Sequence, residues 1–150
     1  MDVQEVKKLD AYLKRLFGNS RIRVVPKEDE SADVFVGQEH LGVLALDEDE
    51  EDEERAYNFE MKITLGDAAT KEPDVKKLDA YLKRKFDNDH IRVVPRFKKK
   101  DSAEVYVDRE YIGVLFFDEK DARSSYFELP ILGLDLDEPA GQPVRSALER

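Results

Sequence analysis

The chain of 150 residues contains no cysteine. That absence removes disulfide scaffolds, thiol nucleophiles, iron–sulfur clusters and cysteine-based zinc sites together. Histidine is nearly as scarce, with only His40 and His90, so chemistry that turns on an imidazole has two places to live. No apolar run approaches the roughly 20 residues that a membrane span requires, and Met1 to Glu5 has no signal-peptide character. The expectation is a soluble, cytoplasmic protein without membrane association. What is present is charge: 25 Lys+Arg against 35 Asp+Glu, a formal net charge of -10, beside 41% hydrophobic residues. That apolar share is enough to build a core and excludes wholesale disorder.

Self-similarity is the main signal. Val6-Lys-Lys-Leu-Asp-Ala-Tyr-Leu-Lys-Arg15 recurs unchanged as Val75 to Arg84, and over Val6–Pro26 against Val75–Pro95 17 of 21 positions are identical. The exceptions fall at 16, 18, 20 and 21 of the first copy. Ser31–Val36 then matches Ser102–Val107, Leu41–Leu44 matches Ile112–Leu115, and Phe59–Ile63 matches Phe127–Ile131. The chain reads as a tandem duplication of a unit of about 60 residues: repeat 1 over 1–66, a linker at 67–72, repeat 2 over 73–137 and a flexible tail over 138–150.

Each unit gives the order α-β-β-β-β, an α+β fold. Val6, Leu9, Leu13, Leu16 and Phe17 share one helical arc with Tyr12 at its edge. Asp2 with Glu5 resembles a capping box, Pro73 suits a first helical turn, and Gly18 supplies a left-handed stop. Ile22 to Val25 is a short strand closed by Pro26; Asp33–Val36 and His40–Leu46 flank a tight Gly37-Gln38 connection; Tyr57, Phe59, Met61 and Ile63 alternate with polar residues. Pro130 cannot donate to a ladder, which predicts that the last strand lies at an edge. Gly42 and Gly113 interrupt apolar strands, the mark of a bulge, a bend or close backbone approach.

A two-residue turn at Asp108-Arg109 pairs Val107 with Glu110, Tyr106 with Tyr111 and Val105 with Ile112. That register predicts one face bearing Val105, Val107, Ile112, Val114 and Phe116, and another bearing Tyr106, Tyr111, Leu115 and Phe117; the first copy places Phe35, His40, Leu44 and Leu46 on the latter. Both faces are apolar, yet one helix covers only one of them. The expected architecture is therefore two antiparallel sheets, each with one helix on one face, the other face buried against the other copy as an intramolecular pseudo-dimer in a monomeric chain. Two independent beads on a linker are the alternative.

The order of a Val-Lys-Lys-Leu-x-Ala-Tyr-Leu-Lys-Arg helix, Asp101-Ser-Ala-Glu-Val-Tyr-Val107, Ile112-Gly-Val-Leu115 and Tyr57-Asn-Phe-Glu-Met61 resembles a small alphaproteobacterial family of domains of unknown function. Its members are single units of this size, so the chain is similar to two of them fused. The resemblance implies a bacterial, cytoplasmic origin and brings no catalytic or binding residues with it. The first copy departs from the family pattern at its acidic loop, the second at Pro130.

Enzyme constellations are scarce in the sequence. His40 and His90 occupy different repeat positions, so neither belongs to a duplicated site, and Ser31 and Ser102 precede strands without a nucleophile-elbow pattern. No phosphate loop, dinucleotide fingerprint or metal-binding helix motif occurs. The eight acids Asp47 to Glu54 could attract a divalent cation or a basic partner, but they lack the spaced ligands and central glycine of a calcium loop and read as a solvated run. No enzyme activity, metal or cofactor is expected.

Charge separates the copies. Residues 1–70 hold 9 basic and 18 acidic residues, net -9; residues 71–150 hold 16 and 17, net -1. Arg96-Phe97-Lys98-Lys99-Lys100 stands where the first copy has Lys27-Glu28-Asp29-Glu30. The copies have thus diverged in charge more than in core. The functional expectation is a non-enzymatic interaction module for a protein partner. The second reading is a nucleic-acid-binding protein using Lys83, Arg84, Arg96, Lys98, Lys99 and Lys100 as phosphate contacts and Phe97 as a stacking ring.

Overall fold

The computed structural model describes residues 2–47, 55–65, 74–121, 123–137 and 147–149. Helix α1 (Val3–Phe17) is followed by β1 (Ile22–Lys27), β2 (Ser31–Val36), β3 (Glu39–Asp47) and β4 (Ala56–Thr64). The order repeats as α2 (Val75–Lys85), β5 (Ile91–Pro95), β6 (Ser102–Val107), β7 (Glu110–Phe117) and β8 (Ser124–Leu132), with 3-10 turns at Gly133–Asp137 and Ala147–Glu149. The predicted α-β-β-β-β unit is present twice.

Local chemistry accounts for the helix ends. Asp2 accepts from the Glu5 amide and Glu5 reaches back to the Asp2 amide, a full capping box. Gly18 closes α1 at φ 58°, while Asp87, its equivalent in the second unit, takes φ 50°. The arc read from the sequence is the buried one: Val6, Leu9, Tyr12, Leu13, Leu16 and Phe17. Pro73, the linker at 67–72 and residues 138–146 lie outside the described residues.

The strands form one antiparallel sheet in the order β1-β2-β3-β4-β8-β7-β6-β5. β8 is therefore a central strand, paired with β4 on one side and β7 on the other, and not the edge that Pro130 predicted. Proline is tolerated there because β7 runs beside β8 only as far as Glu128, two residues short of Pro130. The edges are β1 and β5, which carry Pro26 and Pro95. Each edge is also capped from its helix: Asp10 accepts the Val24 amide at 3.0 Å, and Asp79 the Val93 amide at 2.9 Å. Outer N–H groups that would otherwise template another strand are thereby consumed.

The face assignment needs one correction. Val107 stands opposite Glu110 and Tyr106 opposite Tyr111 as expected, but a bulge then sets Val105 opposite Gly113 rather than Ile112. One inserted residue flips everything beyond it. Leu115 and Leu44 consequently belong to the buried face, and Val114 and Phe116 to the other. Gly42 and Gly113 occupy the bulges because nothing larger fits: a Cβ there would lie 2.2 Å from the Glu60 carbonyl oxygen and 2.4 Å from that of Glu128.

The units meet edge to edge, β4 against β8, and the second face of each sheet is not buried against the other copy's sheet. Both helices lie on the same face. Phe17 and Phe86, equivalent residues at the two helix ends, stack with centroids 4.1 Å apart, and Phe86 also meets Phe59 and Phe127 edge-on at 6.4 and 6.3 Å. Hydrogen bonds cross reciprocally: the Asn19 amide donates to the Phe86 carbonyl at 2.8 Å, and the Asn88 amide to the Phe17 carbonyl at 2.6 Å. At the middle of the β4–β8 ladder, equivalent residues Glu60 and Glu128 stand opposite each other. Ion pairs Arg21–Asp87 and Lys85–Glu39 add charge to the junction.

Candidate functional site

The register fixes which loops share an end of the sheet. Lys27 pairs with Ser31, Asp47 with Ala56 and Ala56 with Leu132, so the β1–β2 loop and the point where the chain leaves β3 lie at one end. Pro95 pairs with Ala103, Phe117 with Ser125 and Ser124 with Thr64, which puts the β5–β6 loop at the opposite end. The first end carries Glu28, Asp29, Glu30 and Asp47; the second carries Phe97, Lys98, Lys99 and Lys100. The remainder of the acidic run, 48–54, lies outside the described residues.

The β5–β6 loop is a tip on a fastened base. Arg96 donates to the Ser102 hydroxyl at 3.1 Å and to the Tyr111 hydroxyl at 3.0 Å. Ser102 in turn donates to the Asp101 carboxylate at 3.1 Å, and the Phe117 amide donates to the Asp101 carbonyl at 2.9 Å. Between these anchors Phe97 is 96% exposed. Lys98, Lys99 and Lys100 are exposed beside it and have no ion-pair or hydrogen-bond partner among the described residues. The corresponding Glu28–Glu30 turn is held instead by the Ser31 hydroxyl donating to the Glu28 carbonyl, with Asp29 and Glu30 at φ 63° and 55°. Ser31 and Ser102, expected as turn residues ahead of the strands, are instead the first residues of β2 and β6.

The structure divides the basic set predicted from sequence. Lys83 and Arg84 sit at the C-terminal end of α2, which leads into the start of β5, whereas Arg96 to Lys100 leave from its end; five strand residues at about 3.3 Å each separate them. Lys83 closes on Asp79, repeating the Lys14–Asp10 pair of the first unit, and Arg84 lies over the Tyr81 ring. These two side chains are architecture. The sheet tyrosines are similarly engaged: Tyr106 stacks on Tyr111 at 5.3 Å, and Arg92 also lies over the Tyr106 ring. Of the predicted set, Phe97 and the three lysines are exposed and make no such contact among the described residues, whereas Arg84, also exposed, lies over Tyr81.

Each histidine is paired with one aspartate. His40 contacts Asp33 at 2.9 Å, and this bond is the chief cause that holds the Asp33 carboxyl below its ordinary value. His90 pairs with Asp108 at 2.7 Å. Among the described residues no group of three or more histidine, aspartate and glutamate side chains is placed to hold a metal. No helix of the described residues is long and apolar enough to cross a membrane.

One feature escaped the sequence. On the face away from the helices, two open grooves of about 620 and 540 Å³ run over β3, β4 and β8 and share Val43, Glu60 and Glu128. Burial and the neighbouring Glu60 charge push the Glu128 carboxyl above its usual range. The only clue available beforehand was the alternation of Asn58, Glu60 and Lys62 along β4; pairing of β4 with β8 could not be read from either repeat alone.

A family model described as "Protein of unknown function (DUF3126)" matches residues 5–66 and again residues 74–135. No curated protein and no solved structure matches the chain.

Proposed function

The chain belongs to the DUF3126 family through both of its halves, and from that premise we propose a non-enzymatic protein-interaction module in which the two units work as one intramolecular pseudo-dimer. The observation that carries the reading is Phe97, 96% exposed on a loop whose base is pinned by Arg96. A ring held out to solvent between fixed anchors forgoes burial worth about 1.5–3 kcal/mol. A binding partner recovers that burial, and a side chain of this kind acts as an anchor in a pocket. The reciprocal asparagine bonds, the Phe17–Phe86 stack and the β4–β8 ladder support the pseudo-dimer, because self-complementary contact between equivalent residues is the pattern of a twofold interface. The fused pair serves as a rigid frame in the cytoplasm that separates two differently charged ends.

The test is site-specific cross-linking in the native host. A photo-reactive phenylalanine analogue at position 97 is expected to give discrete protein adducts, and the same group at Tyr126, which is 41% exposed on the sheet, is not. Equal or absent adducts from both sites overturn the reading. The pairing of Phe97 with three unpartnered lysines also favours a second reading, nucleic-acid binding. A gel-shift titration with single- and double-stranded probes decides it, since binding through phosphates falls steeply with salt.

A further inference from the structure

We infer that the Phe97–Lys100 tip docks on the acidic end of a second copy of this chain, so that copies associate head to tail. This rests on the protein-interaction reading and names the partner, departing from the expectation of a monomeric chain. Three observations carry it. The tip presents three lysines without partners around a fully presented ring. The neighbouring β7–β8 loop sets Asp118, Glu119 and Asp121 against Lys120 and Arg123, with Asp121 already bonded to Arg123, so the positive excess at this end belongs to the tip. The opposite end offers Glu28, Asp29 and Asp47, and the cations beside them are paired: Arg55 with Glu5 and Glu30, and Lys27 with Asp33.

The two ends cannot satisfy each other within one molecule. They are separated by the length of the β4–β8 ladder, nine paired residues at about 3.4 Å each. That distance is beyond the reach of any lysine side chain and about three screening lengths at physiological salt. Charge complementarity between ends fixed on opposite sides of a rigid sheet therefore acts between molecules. A contact joining two different surfaces is heterologous, and it propagates unless the rotation closes a ring.

Nucleic acid is the less favoured occupant of the tip. Single-strand binders combine a basic groove with a run of aromatic platforms, whereas Tyr106 and Tyr111 are stacked on one another and one ring remains. The acidic first unit would also oppose an extended polyanion.

Sedimentation velocity on the full chain tests the inference. At low ionic strength (about 20 mM) the sedimentation coefficient is expected to rise with concentration, and at about 500 mM salt the association is expected to weaken at least tenfold. Lys98→Glu/Lys99→Glu/Lys100→Glu should abolish it, and Phe97→Ala should weaken it about tenfold. The triple variant keeps its acidic end, so added to the native chain it should cap the free tips and shorten the assemblies. Because the chain has no tryptophan, Phe97→Trp gives a single tryptophan, selectively excitable beside the tyrosines, whose spectrum should shift to the blue on association. A chain that stays monomeric at low salt, a triple variant that still self-associates, or one that leaves native assemblies unchanged overturns the inference, as does nucleic-acid binding by the tip without self-association. If copies stay monomeric while position 97 still cross-links to another protein, the interaction reading stands and only the assignment of its partner fails.

Discussion

The two units differ least where they build their own cores and most at the ends that face apart, and the junction between them lies in between. Within the matching helix-to-strand block, the non-identical positions are Leu16/Lys85, Gly18/Asp87, Ser20/Asp89 and Arg21/His90. Three of these changes make two asymmetric bonds across the junction: Arg21 to Asp87, and Lys85 to Glu39. Two copies of the first unit would lack both Asp87 and Lys85 and form neither pair, and two copies of the second would put histidine in place of Arg21. The difference teaches that fusion allows a twofold contact to specialise: equivalent phenylalanines and asparagines supply the shared affinity, and a few unlike charges distinguish one unit from the other. At the outer ends no such constraint applies, and Glu28-Asp29-Glu30 and Lys98-Lys99-Lys100 have taken opposite signs.

The sharpest way to break this contrast is to truncate one phenylalanine at the junction and one at the tip. Phe86 is 1% exposed and touches Phe17, Phe59 and Phe127, so Phe86→Ala should cost about 3–5 kcal/mol in urea unfolding. Phe97→Ala should stay within about 0.5 kcal/mol of the native chain. Similar losses from both would mean that the tip is packed and that the division between a junction and a presented end is wrong.

The bulge glycines come next. Gly113→Ala brings a Cβ to 2.4 Å from the Glu128 carbonyl oxygen and 2.6 Å from the Phe127 ring. Relief requires the β7–β8 strands to part, an overpacking penalty of about 1–3 kcal/mol in thermal or urea unfolding. Gly42→Ala makes the matching clash with Glu60 and Phe59 in the other unit. If the junction binds the units into one cooperative body, both variants should unfold in a single transition; a second transition confined to one unit would favour independent beads.

Much of the fold was legible because repetition doubled each weak signal. The helix arc, its capping box, the Gly18 stop and the β4 alternation were all visible in the amino-acid order and all stand. Two misreadings share a cause. Counting outward from the Asp108-Arg109 turn holds for two pairs and then fails, because a bulge costs one residue and only close approach to the Glu128 backbone reveals why a glycine is there. Pro130 was misplaced because the partner of β8 belongs to the other repeat, a contact 60 to 76 positions away at the strand ends that no local rule encodes: Thr64 pairs with Ser124 and Ala56 with Leu132, and Asn58 with Pro130 itself. The tip was legible as composition, yet Lys83 and Arg84 joined it only by charge. Their helix-borne partners are Asp79 and Tyr81, and the Lys83–Asp79 pair repeats Lys14–Asp10 of the first unit.

A smaller loss should follow from severing one strand of the reciprocal asparagine pair. Asn19 is buried, and its side chain also accepts the Arg21 amide at 2.9 Å. Asn19→Ala leaves the Phe86 carbonyl without that donor, at a cost of about 1–2 kcal/mol. Asn88 is only partly buried, so Asn88→Ala should cost less. A double-mutant cycle with Phe17→Ala measures how far the ring stack depends on these bonds; additivity would mean that the two contacts stabilise the junction separately.

The smallest effect has a distinctive sign. Glu60 and Glu128 oppose each other in the β4–β8 ladder, and burial together with the Glu60 charge raises the Glu128 carboxyl above its unfolded value. A carboxyl raised on folding binds its proton more tightly in the native state, so its contribution is fully present below the unfolded Glu range and is lost as pH rises through the raised value. Glu128→Gln removes that loss. Near neutral pH the variant should be more stable than the native chain by less than about 1 kcal/mol, the scale of a like-charge cross-strand pair. The gain should fade on acidification, once the native carboxyl is itself protonated. Glu60→Gln should shift stability in the same direction by removing the charge that opposes Glu128. A Glu128→Gln chain that is less stable at neutral pH, or whose gain grows in acid, would mean that the glutamate pair makes a favourable contact at the centre of the junction, and that the most symmetric point between the units is not where like charge opposes like.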